Sequence, residues 1–357
     1  MVFSLADLDL PIIQAPMAGV QDSALAIAVS SAGGLGSLPC GMLSLAALKG
    51  QLEAIKTSST NPVNLNFFCH QPPTVNDDIE AQWRQLLQPY FAEYGIDGQS
   101  IKAGQGREPF NHAVADIVEP YRPAVVSFHY GLPDADLLAR VKSWGATVLS
   151  SATTVAEALW LEANGADVII AQGLEAGGHR GMFLSNDLTT QVGTFALLPQ
   201  IVQRVKTPVI AAGGIADAKG VQAVLALGAS AVMVGTAFML CPEANTSKLH
   251  RAALASSSRD HTAITNLFSG RPARGIVNRV MQEIGPLNPL APPFPLASVA
   301  ITAIRQQAEA AGSAGFSPLW CGQNTSGCKT IGAGDLTREL FTVGWVEPKA
   351  KPIMIWQ

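Results

Sequence analysis

Eight short apolar runs, most of them followed by a segment of helical periodicity, recur along the first 235 residues of this chain. The runs are 11–17, 35–38, 62–68, 124–128, 147–151, 168–172, 208–212 and 230–234. Most are unbroken rather than alternating, as in Val168-Ile169-Ile170-Ala171, and so suit strands buried on both faces. Parallel strands need crossovers, and helical stretches at 23–32, 44–56, 134–144, 154–164, 194–206 and 217–227 supply them. Asp22 or Ser23, Ser44 and Asp217 stand where helix caps belong. Between the third and fourth runs lies a looser excursion, about 70–120, with helical periodicity at 78–94 and 111–119 around a glycine-rich piece, 95–106. Eight such units predict an α/β (β/α)₈ TIM barrel. An open doubly wound sheet is the rival, but no GxGxxG follows the first run.

After residue 241 the composition shifts. Helical stretches at 248–255 and 299–311 flank a proline-rich connector, 286–295. We therefore divide the chain into a barrel at 1–241, a smaller, mainly helical lobe at 242–314 and a C-terminal segment at 315–357 that returns to the barrel mouth. With 48% hydrophobic and only 14% charged residues, the chain can bury a large core. Its formal net charge of −4 and the lack of a basic block disfavour nucleic acid as a partner. Five cysteines without a CxxC pair argue against a disulfide framework and a structural zinc site, leaving no metal in the reading. No basic n-region and no uninterrupted apolar span suggest secretion or a membrane, so a cytoplasmic protein is expected, either monomer or homodimer.

The chemistry concentrates after the sixth run. Gln172 ends it, and Gly173, Gly177, Gly178 and Gly181 surround Glu175, His179 and Arg180. Barrels build their sites at this end of the strands. Glu175 either orients His179 or anchors the loop through backbone N–H groups, while Arg180 is a candidate to attract an anionic substrate. The long connector 182–193 is expected to wall the pocket. Gly213-Gly214 and Gly235-Thr236 follow the last two runs, the usual place of a barrel phosphate site. Ala15-Pro16-Met17, Asn66 and Gln172 point into the same mouth. A phosphate beside amides and backbone groups around a flat ring suggests FMN, whereas NAD lacks a ribose-reading carboxylate here. His70, His112, His250 and His261 sit in weak contexts and are assigned nothing. Cys69 has no evident base.

Ile13-Gln14-Ala15-Pro16-Met17-Ala18-Gly19, Ser127-Phe128-His129-Tyr130-Gly131, the stretch from Gln172 to Gly181 and Ala211-Ala212-Gly213-Gly214-Ile215-Ala216-Asp217 resemble the nitronate monooxygenases, class I branch. Trp320-Cys321-Gly322-Gln323 resembles that family's C-terminal signature. The resemblance implies FMN-dependent oxidation of alkyl nitronates, propionate 3-nitronate among them, by O₂ to a carbonyl compound and nitrite. It matches Asn66, Gln172, Gly177, Gly214, Met233, Val234, Gly235 and Thr236 to flavin contacts, with Gly178 and Gly213 in the same glycine loops. His179 matches the active-site histidine and His129 a second one. Imidazolium at His179 would hold anionic nitro oxygens, whereas neutral imidazole would take an α-proton from a nitroalkane. The competing readings are an NAD(P)H-dependent quinone or enoyl-acyl-carrier reductase on the same scaffold, and a non-catalytic binder of a phosphate ligand.

Overall fold

Each apolar run finds its neighbours in the units before and after it. The computed structural model describes residues 3–98, 100–101 and 107–342. In chain order the first units are β1 (Ile12–Gln14), α1 (Ser23–Ser31), β2 (Gly36–Pro39), α2 (Leu45–Ser58) and β3 (Val63–Phe68). The excursion follows as α3 (Asp77–Glu93) and α4 (His112–Val118). The barrel resumes with β4 (Val125–His129), α5 (Ala135–Ser143), β5 (Thr147–Ala152), α6 (Val155–Ala163) and β6 (Val168–Gln172). A two-residue strand, β7 (Gly178–His179), precedes α7 (Thr194–Val202), β8 (Val209–Ala212), α8 (Ala218–Ala226) and β9 (Ala231–Val234). Then come α9 (Lys248–Ala255), β10 (Thr262–Thr265), β11 (Ala273–Ile276), α10 (Arg279–Ile284), α11 (Ser298–Ala310) and α12 (Ala333–Glu339).

Eight strands pair in the order β1-β9-β8-β6-β5-β4-β3-β2, all in parallel. A parallel bridge between Ile13 and Leu35 joins the two ends, so the sheet closes into a (β/α)₈ barrel rather than an open twisted sheet. The period of two along each strand sorts the core. Ile13, Leu149, Ile170, Ile210 and Met233 fill the interior, while Ile12, Ile169, Val209 and Val232 pack under the helices. The helices start where their caps stand: Asp22, Ser44 and Asp217 each accept a backbone N–H of the first turn.

Over the mouth sits a lobe that the strand pattern did not outline. Stretch 242–314 carries not only α9, α10 and α11 but also β10 and β11, two strands absent from the sequence reading. Alternation there is short and interrupted by Asn266 and Gly270. β11 pairs on one side with β10 and on the other with β7, so the loop after β6 is stitched into a three-stranded sheet outside the barrel. The excursion joins it: Trp83, Leu87 and Phe91 of α3 share a core with Ile301 and Ile304 of α11 and with Phe316. The segment after 315 crosses the mouth and ends in α12, whose Ala333 and Leu336 pack with Leu25 and Val29 of α1. Residues 343–357 of the C-terminal segment lie outside the described residues. No described helix is long and apolar enough to cross a membrane.

Candidate active site

The C-terminal ends of the barrel strands and the lobe enclose a cavity of about 400 Å³. Ala15, Pro16, Met17, Asn66, His129, Gln172, Gly177, Gly178, His179, Gly213, Gly214, Met233, Gly235 and Thr236 all line it. Val234 does not. Its side chain, one residue out of phase with Met233, packs outward beneath the helices, and only its carbonyl serves the mouth by accepting Ala15 N–H. The connector 182–193 does not wall the cavity either. It packs behind the site, with Phe183 5.2 Å from the Trp160 ring.

The loop after β6 is held by Arg180 and Glu175. Arg180 is fully buried, donating to the carbonyls of Gly173 (2.6 Å) and Gln172 (2.8 Å) and to Gln191 Oε1. Burial lowers its pKa to about 10. It is a structural pin, not the anion receptor suggested by its place beside His179. Glu175 anchors the loop rather than orienting His179: its carboxylate accepts Thr194 N–H and the Thr194 hydroxyl at the start of α7. Helix α7 has Gly193 as its N-cap and so needs an acid from elsewhere.

His179 is fixed from two sides. Its backbone carbonyl accepts Gln172 Nε2 (2.9 Å) and His129 Nε2 (3.2 Å). Its ring Nε2 lies 2.8 Å from Ser269 Oγ, and that hydroxyl also donates to Arg271 O. Burial, then the Arg107 guanidinium, His129 and Arg271, push the His179 pKa well below the ordinary histidine value. The ring is therefore neutral, the proton-accepting form. His129 is also neutral, its pKa lowered to about 4 chiefly by burial. Both its nitrogens are engaged, Nδ1 with Ser151 Oγ (3.1 Å) and Nε2 with the His179 carbonyl.

The glycine loops fit a phosphate. Gly213 and Gly214 have φ of +110° and +73°, backbone that side chains rarely adopt. Among the described residues, none accepts from the N–H groups of Gly214, Gly235 or Thr236. Those donors converge from the ends of β8 and β9 without protein partners. The Thr236 hydroxyl accepts Gly322 N–H (3.0 Å), leaving its proton for a ligand. Higher in the mouth, Asn66 donates to Ser127 Oγ (3.0 Å) and keeps its carbonyl oxygen. Gln172, having accepted Gly181 N–H, has one amide N–H to spare. These donors and acceptors suit a flat heterocycle carrying a phosphate.

The sequence profile of the nitronate monooxygenases matches residues 2–342. The chain belongs to that family. It is 40% identical over 340 residues to the nitronate monooxygenase of Paraburkholderia phytofirmans, covering 94% of this chain and 92% of that one. It is 41% identical over 337 residues to the nitronate monooxygenase of Pseudomonas aeruginosa, covering 92% and 95%. The crystal structure of nitroalkane oxidase from Streptomyces ansochromogenes superposes with a TM-score of 0.87 at 36% identity, over 94% of this chain and 96% of that one. As a member of this flavin-dependent family the chain is an oxidoreductase.

Several residues at the nitronate monooxygenase site carried no readable signal in the sequence. Ser269 and Arg271 lie between β10 and β11, and Phe294 lies in the proline-rich connector, 5.6 Å from the His179 ring. His250 lines the cavity with its Nε2 buried and unpartnered, and burial lowers its pKa to about 4. His70 Nε2 holds the Arg107 carbonyl at 2.8 Å. All but His250, which sits in the helical stretch 248–255, come from segments without periodicity, and tertiary packing brings them together. Trp320, 5.3 Å from His179, is the exception, since its segment already resembled a family signature. The Cys69 thiol is pushed up by burial and by Asp134, which suits packing rather than nucleophilic work.

Proposed function

We propose that this chain binds FMN and oxidises alkyl nitronates with O₂, releasing a carbonyl compound and nitrite. The observation that carries the reading is a neutral, buried His179 whose charged neighbours, Arg107 and Arg271, are both cations. A nitronate is an anion, and that field draws it to the imidazole without an acid competing for the proton. The unpartnered N–H groups of Gly214, Gly235 and Thr236 would hold the cofactor's phosphate. Ala15, Pro16, Met17, Asn66, Gln172, Gly177, Gly178, Gly213 and Met233 would frame its ring. When bound, FMN supplies a one-electron acceptor that reacts onward with O₂.

Each protein group then has a separable task. The neutral His179 imidazole takes the α-proton when the substrate arrives as a neutral nitroalkane. His129 acts as a positioning residue: with both nitrogens bonded, it fixes the His179 backbone. Ser269 Oγ holds the ring at Nε2, 2.8 Å away. The lobe closes over the mouth and keeps bulk water from the reacting carbon.

Anaerobic mixing tests the reading. A nitronate should bleach the flavin absorbance with no pyridine nucleotide present, and nitrite should appear once air is admitted. Bleaching by NADH but not by a nitronate would move the chain to the reductases. A purified protein without flavin absorbance would leave the phosphate-binder reading.

A further inference from the structure

Behind the cavity wall, two side chains that do not line it meet face to face. The Arg271 guanidinium, from the loop between β10 and β11, lies 4.2 Å from the centre of the Tyr130 ring at the end of β4. Tyr130 is buried, and among the described residues its hydroxyl has no hydrogen-bond partner. Its backbone has φ of +71°, the left-handed region that bulky side chains avoid. A glycine would adopt that conformation without strain, and a phenol buried without a partner gains nothing from its hydroxyl. What the position keeps at that cost is the face of the ring. The ring is wedged among those of His129, Phe68 and Phe294, at 4.6, 5.5 and 5.6 Å between centres, so it forms a fixed platform.

The platform holds a loop. Arg271 Nη1 also donates to Met182 O at 3.0 Å, three residues past His179. A planar cation can stack on a ring and donate from its edge at the same time. On the same loop, Ser269 Oγ donates to Arg271 O (3.3 Å) and stands 2.8 Å from His179 Nε2. Pro272 O accepts Arg180 N–H at 2.8 Å, and Ala273 pairs with His179. On the far side, Gly270 approaches the proline-rich connector so closely that a Cβ there would lie 2.1 Å from Pro292 O. The loop is thus fastened to β7 and to the connector, and Arg271 is the attachment that reaches the end of β4.

We propose that Arg271, stacked on Tyr130, is a positioning residue that holds the β10–β11 loop against the barrel and so keeps the Ser269 hydroxyl at His179 Nε2. The inference rests on the function proposed above, which makes the His179 ring the proton acceptor. Arg271 touches neither substrate nor cofactor in this role. It acts through Ser269, and Ser269 acts on the orientation of the imidazole. A ring held from one nitrogen presents the other in a fixed direction, which is what proton transfer from carbon requires.

The test uses the flavin-loaded enzyme with un-ionised nitroethane. Ser269→Ala should lower kcat about three- to tenfold, the loss of one hydrogen bond, with KM little changed. Arg271→Met should lower kcat by the same factor, and the double variant should be no slower than either single one, because both changes remove the same contact. Arg271→Lys, which keeps a cation over the ring, should recover part of the loss. Tyr130→Leu, which removes the platform instead of the cation, should repeat the effect of Arg271→Met, so the test does not hang on the folding of one variant. A spectroscopic readout needs no turnover: the ¹⁵N resonance of His179 Nε2, identified by its absence in His179→Asn, should move in Arg271→Met to where it lies in Ser269→Ala. A wild-type Nε2 shift in Arg271→Met, or losses in kcat that multiply in the double variant, overturns the proposal. If the wild type turns over no nitroalkane or nitronate, the function proposed above fails, and the Nε2 resonance still decides whether Arg271 holds Ser269 in place.

Discussion

The barrel and the lobe over its mouth close their cores over different distances along the chain. In the barrel, β3 pairs with β2 and β4, and β5 with β4 and β6, so most contacts join adjacent units. In the lobe, Trp83 of α3 donates its indole N–H to Ala297 O, 214 residues away. The two regions also contribute different chemistry. The barrel offers backbone: free N–H groups at Gly214, Gly235 and Thr236 and amides at Asn66 and Gln172. The lobe and the excursion offer side chains: Arg107, His250, Ser269 and Arg305. Strand ends are rigid and repeat from unit to unit, which suits holding a cofactor. The lobe is free to differ in what it presents to the substrate.

That division can be broken by experiment. The largest effect is expected where the two regions meet. His179→Asn should keep the flavin absorbance, since the barrel holds the cofactor, and with a neutral nitroalkane as substrate lower kcat by about 10²–10⁴-fold, since the proton acceptor is gone. Loss of the flavin together with activity would show that the regions are not separable. Trp83→Ala, in the core shared by α3 and α11, should cost about 3–5 kcal/mol in urea unfolding. An early transition that unfolds the lobe before the barrel would sharpen the comparison, and one concerted transition would erase it.

Gly177→Ala tests the strap across the mouth. A Cβ there would lie 2.5 Å from Gly322 N and 2.6 Å from Cys321 C, so segment 320–324 must shift away from Thr236. A cost of about 1–3 kcal/mol is expected, with faster flavin loss on dialysis. The smallest effect concerns pH. The buried His250 titrates at about 4 in the folded protein and near 6.5 when unfolded, so the unfolded chain binds the extra proton between those values. Its contribution is complete above about pH 6.5 and lost as pH falls toward 4. His250→Gln should flatten the dependence of unfolding free energy on pH by about 1.4 kcal/mol per unit in that window. An unchanged slope would mean that His250 is not buried as a neutral ring.

How much could be read before folding follows from the same contrast. The strand runs, the caps at Asp22, Ser44 and Asp217, and the glycine loops after β8 and β9 are local signals, and each sits where the pattern put it. Arg180 shows the opposite case. Its type suggested an anion receptor, yet its direction depended on Gln191 and on the carbonyls of Gln172 and Gly173, which no local pattern reveals. Glu175 left two roles open, and only the approach of Thr194 chose between them.

What the chain settles by itself is periodic: apolar runs at the strand period, helices between them and glycines where backbone must approach a ligand. These follow from sterics and burial within a few tens of residues. Tertiary structure decided which charges face the cavity and which face the core. Desolvation and hydrogen-bond direction depend on partners as far apart as His179 and Ser269, 90 residues along the chain. The neutral imidazole and the pinned Arg180 are consequences of that packing, not of their neighbours in sequence.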